Sequence, residues 1–147
     1  MSDSLYSKMF KTRDEVIRGA FAEYIYRHES NGESPGSFIA HVRERERLTD
    51  DEVERLRTLM ELYLKNEGSL YERLERTLVG WRPDRLLALD RAAILAGMTE
   101  LLFTDGEPER IIYDYGTFAK RFSAEKSPSF VMGVLKSFKR GLEDGKT

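Results

Sequence analysis

Helix-capping signals, each followed by apolar residues at three- to four-residue spacing, recur along the chain and constrain its fold more than any other feature. Thr12–Glu15, Thr49–Glu52 and Ser69–Glu72 all have the form of a capping box, in which a hydroxyl and a carboxylate satisfy the first amides of a helix. Pro108 and Pro128 stand where proline starts a helix. No stretch alternates convincingly between polar and apolar residues, so the pattern predicts helices and no sheet.

The same pattern predicts about seven helices joined by short loops. Gly68 is expected to end the helix that starts at Thr49, and Trp81-Arg82-Pro83 to interrupt the next one, because proline disfavours helix at the residue before it. The most apolar helix, from about Leu86 to Phe103, should lie centrally in the core. The chain has 147 residues, a length typical of one domain. We therefore predict a single all-α domain over residues 1–147.

Several classes of function are disfavoured by what the sequence lacks. Without cysteine it has no disulfide, thiolate nucleophile or cysteine-ligated zinc, and His28 and His41 do not have metal-ligand spacing. No phosphate-binding loop or nucleophile elbow is present. Glu100, within an apolar run, is expected to be buried and ion-paired. No apolar stretch approaches a membrane span, so we expect a cytoplasmic protein with no catalytic site, metal or cofactor.

Charge is distributed unevenly along the chain, although the formal net charge is only −2. Residues 31–109 contain 11 basic and 17 acidic residues, whereas residues 110–140 contain seven basic and two acidic ones. This asymmetry fits one surface that faces a polyanion and another that faces a basic partner. The charge pattern alone favours the simpler alternative, in which charged side chains only solvate helix faces, because like-charge runs of this size are common on helical proteins.

Aromatic residues flank a cationic segment in the basic third of the chain. Phe122 and Phe130 enclose residues 123–129, which include Lys126 and the expected start of the last helix. An aromatic ring beside cations at a helix N-terminus can stack an unpaired base while the amides and lysines hold phosphate. Phe130 also begins an apolar stripe at helical spacing, so a place in the core is the alternative.

Four blocks of sequence occur in the order and spacing of one known family. Trp81–Leu102 is similar to a W…RL…vDRaiLR…yELL segment, and Glu107–Phe122 to a P…viNEavelAKrF helix. Phe130–Leu135 matches FVNGVL except at one position, and Arg18–Glu29 is similar to an R…LYxxE first helix. Together they cover almost the whole chain, and they resemble the NusB family of bacterial transcription antitermination factors.

The resemblance implies an all-helical fold of two packed subdomains and no enzymatic activity. NusB-like proteins pair with NusE, a small-subunit ribosomal protein, and the pair binds the boxA segment of nascent RNA. This binding supports antitermination, notably on ribosomal RNA operons. The partners implied for this chain are therefore boxA-type single-stranded RNA, NusE and the RNA polymerase antitermination complex.

Site residues also follow from the resemblance. Phe130 is expected to stack on RNA, because the family's matching phenylalanine contacts RNA. Cations near the matching motifs are expected to contact phosphate, namely Lys11, Arg13, Arg18, Lys120 and Lys126. The residues expected in or near NusE binding are Tyr26, Asp84 and Asp90.

The sequence departs from the family motifs at several positions, which leaves two other interpretations open. Asp14, Glu15 and Val16 stand where the family usually carries an arginine cluster, and Met132 stands at the asparagine of FVNGVL. One alternative is the helical RNA-binding module that accompanies certain ribosomal RNA cytosine methyltransferases. The other is a divergent paralogue that acts as a protein-binding helical scaffold.

Overall fold

The computed structural model describes residues 5–145, and helices are their only regular elements. Short 3-10 turns cover Tyr6–Lys8 and Pro83–Arg85. The seven α-helices are α1 (Arg13–Asn31), α2 (Pro35–Glu46), α3 (Asp50–Lys65), α4 (Glu67–Thr77), α5 (Ala88–Phe103), α6 (Pro108–Phe122) and α7 (Ser127–Glu143). The prediction of an all-α fold with about seven helices is confirmed.

Side-chain caps begin three of these helices where the sequence predicts a start. The Thr12 hydroxyl accepts a hydrogen bond from the backbone N–H of Glu15 at 3.1 Å. Thr49 and Glu52 form a complete capping box, with distances of 3.2 and 2.9 Å. The Glu107 carboxylate caps α6 directly before Pro108 by accepting from two backbone amides. Local hydrogen bonds therefore fix these boundaries.

The predicted boundaries around Gly68 and at the start of α7 are wrong. Helix α4 begins at Glu67, so Gly68 and Ser69 lie inside it and Ser69 caps nothing. Asn66 ends α3 and starts α4, and its side-chain amide donates to the Leu62 carbonyl at 2.8 Å. Because this one residue makes the turn, no glycine is needed there. Lys126, rather than Ser127, precedes the first turn of α7.

Helices α1 and α5 occupy the centre of the protein. Helix α1 packs against α2, α3, α5 and α6, whereas α5 also packs against α4 and α7. Residues 15–25 of α1 and residues 92–100 of α5 are buried without interruption, as expected for helices surrounded by others. The packing of α1 on α5 and α6 joins the helices of the N-terminal half to the C-terminal group α5–α7.

Helix α7 lies very close to α5 and α6 because glycines stand at two contacts. A Cβ atom at Gly97 of α5 would lie 2.6 Å from a methyl group of Leu135 in α7. A Cβ atom at Gly116 of α6 would lie 2.6 Å from Cγ of Met132, also in α7. Real side chains essentially never approach so closely, so any other residue here would move a neighbour. These glycines set the position of α7 and of the residues at its N-terminus.

A buried ion-pair network joins α1, α5 and α6. Arg18 donates to both carboxylate oxygens of Glu100, at 2.9 and 3.1 Å, and to Asp114 at 2.9 Å. The Tyr115 hydroxyl donates to Glu100 at 2.5 Å. Arg110 reaches Asp114 at 3.1 Å from the more exposed side. Glu100 is therefore buried and ion-paired, as predicted.

The network keeps Arg18 charged and Tyr115 protonated. Burial opposes the charge on Arg18, but the hydrogen bonds and negative charge of Glu100 outweigh it and raise the pKa of Arg18. Burial and the charge of Glu100 raise the pKa of Tyr115 well above its ordinary value. Burial also raises the pKa of Asp114, an effect that Arg18 opposes. Tyr115 therefore remains a hydrogen-bond donor, and Arg18 remains a cation.

Candidate nucleic-acid interface

The segment before α5 and the N-terminus of α7 enclose a groove of about 300 Å³, which we call the α5–α7 groove. Its lining residues include two of the predicted RNA contacts, Lys126 and Phe130. They also include Asp90, which the resemblance assigns to partner binding, together with Trp81 and Arg85. Aromatic, cationic and anionic side chains that lie far apart in sequence therefore meet at one surface.

Local structure explains why the aromatic side chains face this groove. Arg82 is extended before Pro83, which starts a 3-10 turn, and this bend leaves Trp81 59% exposed. Phe130 lies in the first turn of α7 and is half-buried. It packs against the core and lines the groove at the same time, so the two alternative interpretations of Phe130 both describe part of its environment.

Two cations of the groove are free to meet an anion. Arg85 and Lys126 are both exposed, and no carboxylate within residues 5–145 pairs with either side chain. Arg82, in the same segment as Arg85, is instead paired with Asp84 at 2.8 Å. Lys126 precedes the first turn of α7, and the positive end of the helix dipole there favours negative charge. The groove can therefore hold phosphate beside its aromatic side chains.

A directed chain of hydrogen bonds orients Asp90 within the groove. The Ala124 amide donates to the Ser127 hydroxyl at 3.1 Å, and Ser127 donates to the Ser123 hydroxyl at 3.0 Å. Ser123 then donates to Oδ1 of Asp90 at 2.6 Å. Asp90 is only 5% exposed and lies in the first turn of α5. The loop between α6 and α7 thus holds this carboxylate in place.

More cations lie at the end of the protein where α6 finishes. Lys120 and the neighbouring Arg121 are exposed in the last turn of α6. Phe10 packs edge-on against Phe122, with ring centroids 6.3 Å apart, which brings the adjacent, exposed Lys11 to the same end of the protein. Lys11 and Lys120 are therefore placed to extend a phosphate-binding surface beyond the groove.

The structure corrects the prediction for Arg18 and qualifies the one for Arg13. The Arg18 side chain is 4% exposed, and all three of its guanidinium nitrogens donate to Glu100 or Asp114, so it is not available to hold phosphate. Arg13 is exposed but pairs with Glu52 at 2.8 Å, so a phosphate would compete with that carboxylate. Arg18 is therefore excluded from the proposed RNA surface.

The three residues predicted for partner binding occupy different surroundings. Tyr26 lines a second groove, of about 280 Å³, between α1 and the residues Leu89, Phe118 and Phe122. Asp84 is exposed in the 3-10 turn before α5. Asp90 follows Leu89 directly but lines the α5–α7 groove. The start of α5 therefore separates the two grooves.

Trp81 and Arg85 are site residues that the sequence interpretation did not assign to RNA binding. Both stand in a block that resembles the family, and the sequence otherwise indicates only that Trp81 belongs to a helix interruption. An arginine and the chain's only tryptophan beside a helix-breaking proline were the available signal. Only the fold shows that this segment lies opposite Phe130.

Other kinds of site find no support in the part of the chain that the structure describes. Among residues 5–145, no three histidine, aspartate or glutamate side chains are grouped so that they could hold a metal ion. No helix in the same range has the length and apolar character needed to cross a bilayer. What the α5–α7 groove offers chemically is base stacking and phosphate binding.

The fold and this groove together are those of a helical nucleic-acid-binding protein. The model of the NusB family matches residues 15–140, and the chain belongs to that family. The transcription antitermination protein NusB of Aquifex aeolicus is 32% identical over 113 residues, which make up 76% of each chain. That of Streptomyces griseus is 30% identical over 131 residues, which cover 86% of this chain and 91% of the relative.

A solved structure shows the same fold. A chain in the crystal structure of the antitermination factors NusB and NusE in complex with double-stranded RNA superposes with a TM-score of 0.79 and 27% sequence identity. The superposition covers 89% of this chain and 99% of that chain.

Proposed function

We propose that this protein is an RNA-binding transcription antitermination factor that pairs with NusE and binds boxA-type single-stranded RNA. It acts within the RNA polymerase antitermination complex, notably on ribosomal RNA operons. The relatives named as transcription antitermination proteins, and the NusB–NusE–RNA complex that shares the fold, support this function. The proposal assigns no catalytic step to the chain, and it places the protein in the cytoplasm, where nascent transcripts are made.

The observation that carries the proposal is the α5–α7 groove. It combines the half-buried Phe130 with two exposed cations, Arg85 in the turn before α5 and Lys126 before the first turn of α7. Proteins that bind single-stranded nucleic acid use this combination, because the ring stacks on a base while cations hold the backbone. Lys11 and Lys120 extend the same basic character toward the end of α6.

The second groove is the proposed place of NusE. Tyr26, Leu89 and Phe122 supply an apolar lining, and Glu23 and Arg27 lie at its polar side. It lies beside the α5–α7 groove along the start of α5, so one partner could contact both the protein and the bound RNA. Asp84 adds an exposed carboxylate that suits a basic ribosomal protein.

A salt titration of RNA binding tests the proposal. Fluorescence anisotropy would measure the affinity for a boxA-like RNA, with and without NusE, at several salt concentrations. Replacing Lys126 by alanine should flatten the slope of log affinity against log salt by about 0.7, the value for one phosphate contact on a single strand. Lys65→Ala is the matched control, because Lys65 is also exposed but lies at the end of α3 in the acidic part of the chain.

The contrary outcomes separate this proposal from its alternatives. If neither the protein nor its NusE complex binds RNA in a salt-sensitive way, the proposal fails and a protein-binding scaffold takes its place. If Lys65→Ala and Lys126→Ala change the slope equally, the contact with RNA is not made at the α5–α7 groove.

A further inference from the structure

The α5–α7 groove contains one polar atom that neither stacking nor phosphate binding uses. Oδ1 of Asp90 accepts from Ser123, but no group within residues 5–145 donates to the second oxygen, Oδ2. Oδ2 is not one of the solvent-inaccessible polar atoms that lack a partner, so it is accessible, and Asp90 lines the groove. A side chain that is 95% buried therefore presents a free acceptor to whatever fills this space.

The surroundings of Asp90 favour a nucleic acid as the occupant. The two unpaired cations, Arg85 and Lys126, line the same groove and would repel a basic protein surface. Phosphates on either side of a bound base would instead pair with them. The volume of about 300 Å³ lies at the lower end of the range for small-ligand pockets, which suits a single base.

The carboxylate decides which base fits best. A carboxylate only accepts hydrogen bonds, so it selects a base edge that carries donors. Guanine presents two adjacent donors, N1–H and the 2-amino group, whereas adenine and cytosine each place an acceptor beside their amino group. Uracil has one N–H between two carbonyl oxygens, which a carboxylate repels. Guanine alone can therefore donate two hydrogen bonds to the free side of the Asp90 carboxylate without a repulsive contact.

We propose that the α5–α7 groove is a guanine-selective base pocket, in which Asp90 accepts from the guanine edge while Trp81 and Phe130 stack on its faces. This inference rests on the proposed function and adds base selectivity to it. It also gives Asp90 a role in RNA binding, in place of the NusE contact that the family resemblance implies. The hydrogen-bond chain from Ala124 to Ser123 positions the carboxylate for this role.

Binding to uridine dodecamers that carry one central guanosine, adenosine, cytidine or inosine tests the pocket. The full chain, with NusE added, should bind the guanosine oligomer roughly tenfold more tightly than the all-uridine one, because it gains hydrogen bonds to a charged acceptor. Inosine keeps N1–H but lacks the 2-amino group, so it should lose much of this gain.

Asp90→Asn is the variant that isolates the acceptor. Its amide oxygen can still accept from Ser123, while its amide nitrogen donates where the carboxylate accepted. The preference for guanosine should disappear, and the affinity for the all-uridine oligomer should not fall, because asparagine removes the negative charge that repels the uracil carbonyls. Asp51→Asn is the matched control, because Asp51 also lies in the first turn of a helix, α3, but is exposed and lines neither groove. It should keep the full preference for guanosine.

Three outcomes would overturn the inference, and they differ in what they say of the proposed function. Equal, salt-sensitive binding of all oligomers overturns the guanine pocket and leaves RNA binding intact. No salt-sensitive binding to any oligomer overturns both. A weaker NusE complex of Asp90→Asn with an unchanged base preference assigns Asp90 to the protein interface.

Discussion

Arg18 on α1 and Glu100 on α5 form a two-pronged ion pair in which both side chains are almost completely buried. Asp114 on α6 takes the remaining part of the guanidinium. This relationship explains why an arginine that resembles an RNA contact by its place in the sequence is a structural residue here. It fastens the first helix to the C-terminal group α5–α7.

Arg18→Met should lower the free energy of unfolding by about 3–5 kcal/mol, because it leaves the carboxylates of Glu100 and Asp114 buried without their cation. Urea denaturation followed by circular dichroism measures the change. Arg57→Met is the control, since Arg57 pairs with Glu54 on the surface at 3.3 Å and should change stability little. A loss below 1 kcal/mol for Arg18→Met would show that the network is not needed for the fold.

Glu52 should titrate far below an ordinary glutamate. The hydrogen bond from Arg13, followed by smaller effects of Thr49, lowers the pKa of Glu52 to about 2 from its usual 4.5. Since the folded-state pKa is depressed, this carboxylate stabilises the fold fully above pH 4.5, and its contribution declines as the pH falls toward 2. Arg13→Gln should raise the pKa of Glu52 and make this decline shallower.

Carboxyl NMR titration, run down to the lowest pH at which the protein stays folded, measures the pKa of Glu52 directly. Arg43→Gln is a suitable comparison, because Arg43 pairs with Asp50 at the start of α3 and should leave Glu52 unchanged. Identical Glu52 titration curves in the unmodified protein and in Arg13→Gln would contradict the prediction.

Phe130→Ala should weaken RNA binding by about 1–3 kcal/mol, the range for one base stacked on an aromatic ring. The slope of affinity against salt should not change, because a phenyl ring neutralises no phosphate. Thermal unfolding must be measured beside it, since half-buried Phe130 also packs against the core. Lower stability with full RNA affinity of the folded protein would make Phe130 a core residue only.

Trp81 should report RNA binding through its own fluorescence. It is the only tryptophan of the chain and is 59% exposed, so emission from the free protein should resemble that of an indole in water. A base stacked on the ring should quench this emission, and Trp81→Phe should abolish the signal while keeping most of the affinity. Unchanged emission at saturating RNA would place the bound strand away from Trp81.

Features with local causes could be predicted from the sequence. The starts of α1, α3 and α6 were predictable because a side chain within three residues caps each helix. The turn between α3 and α4 was not predictable, because Gly68 made a plausible helix end and Ser69 a plausible helix start, both of them after the actual turn. There the chain turns at Asn66, whose own side chain satisfies a carbonyl of the preceding helix.

Long-range contacts decide the roles of the site residues, and no local pattern reveals them. The partners of Arg18 lie 82 and 96 residues away. The sequence does not show whether Asp90 faces a protein or an RNA base. Only the fold, which brings the α6–α7 loop back to the start of α5, shows that Ser123 orients its carboxylate. Likewise, Trp81 can be recognised as a site residue only because it lines the same groove as Phe130 of α7.

Gly97 and Gly116, which lie beneath α7, can affect the affinity of the groove although neither of them lines it. Gly97 and Gly116 touch Leu135 and Met132, and none of these four residues is among those that line the groove. A methyl group added at either glycine would force Leu135 or Met132 to move, and any part of that shift taken up by the α7 backbone would change the distance from Phe130 to Trp81. Substitutions at these two glycines can therefore change the width of the binding site while every residue that lines it stays the same.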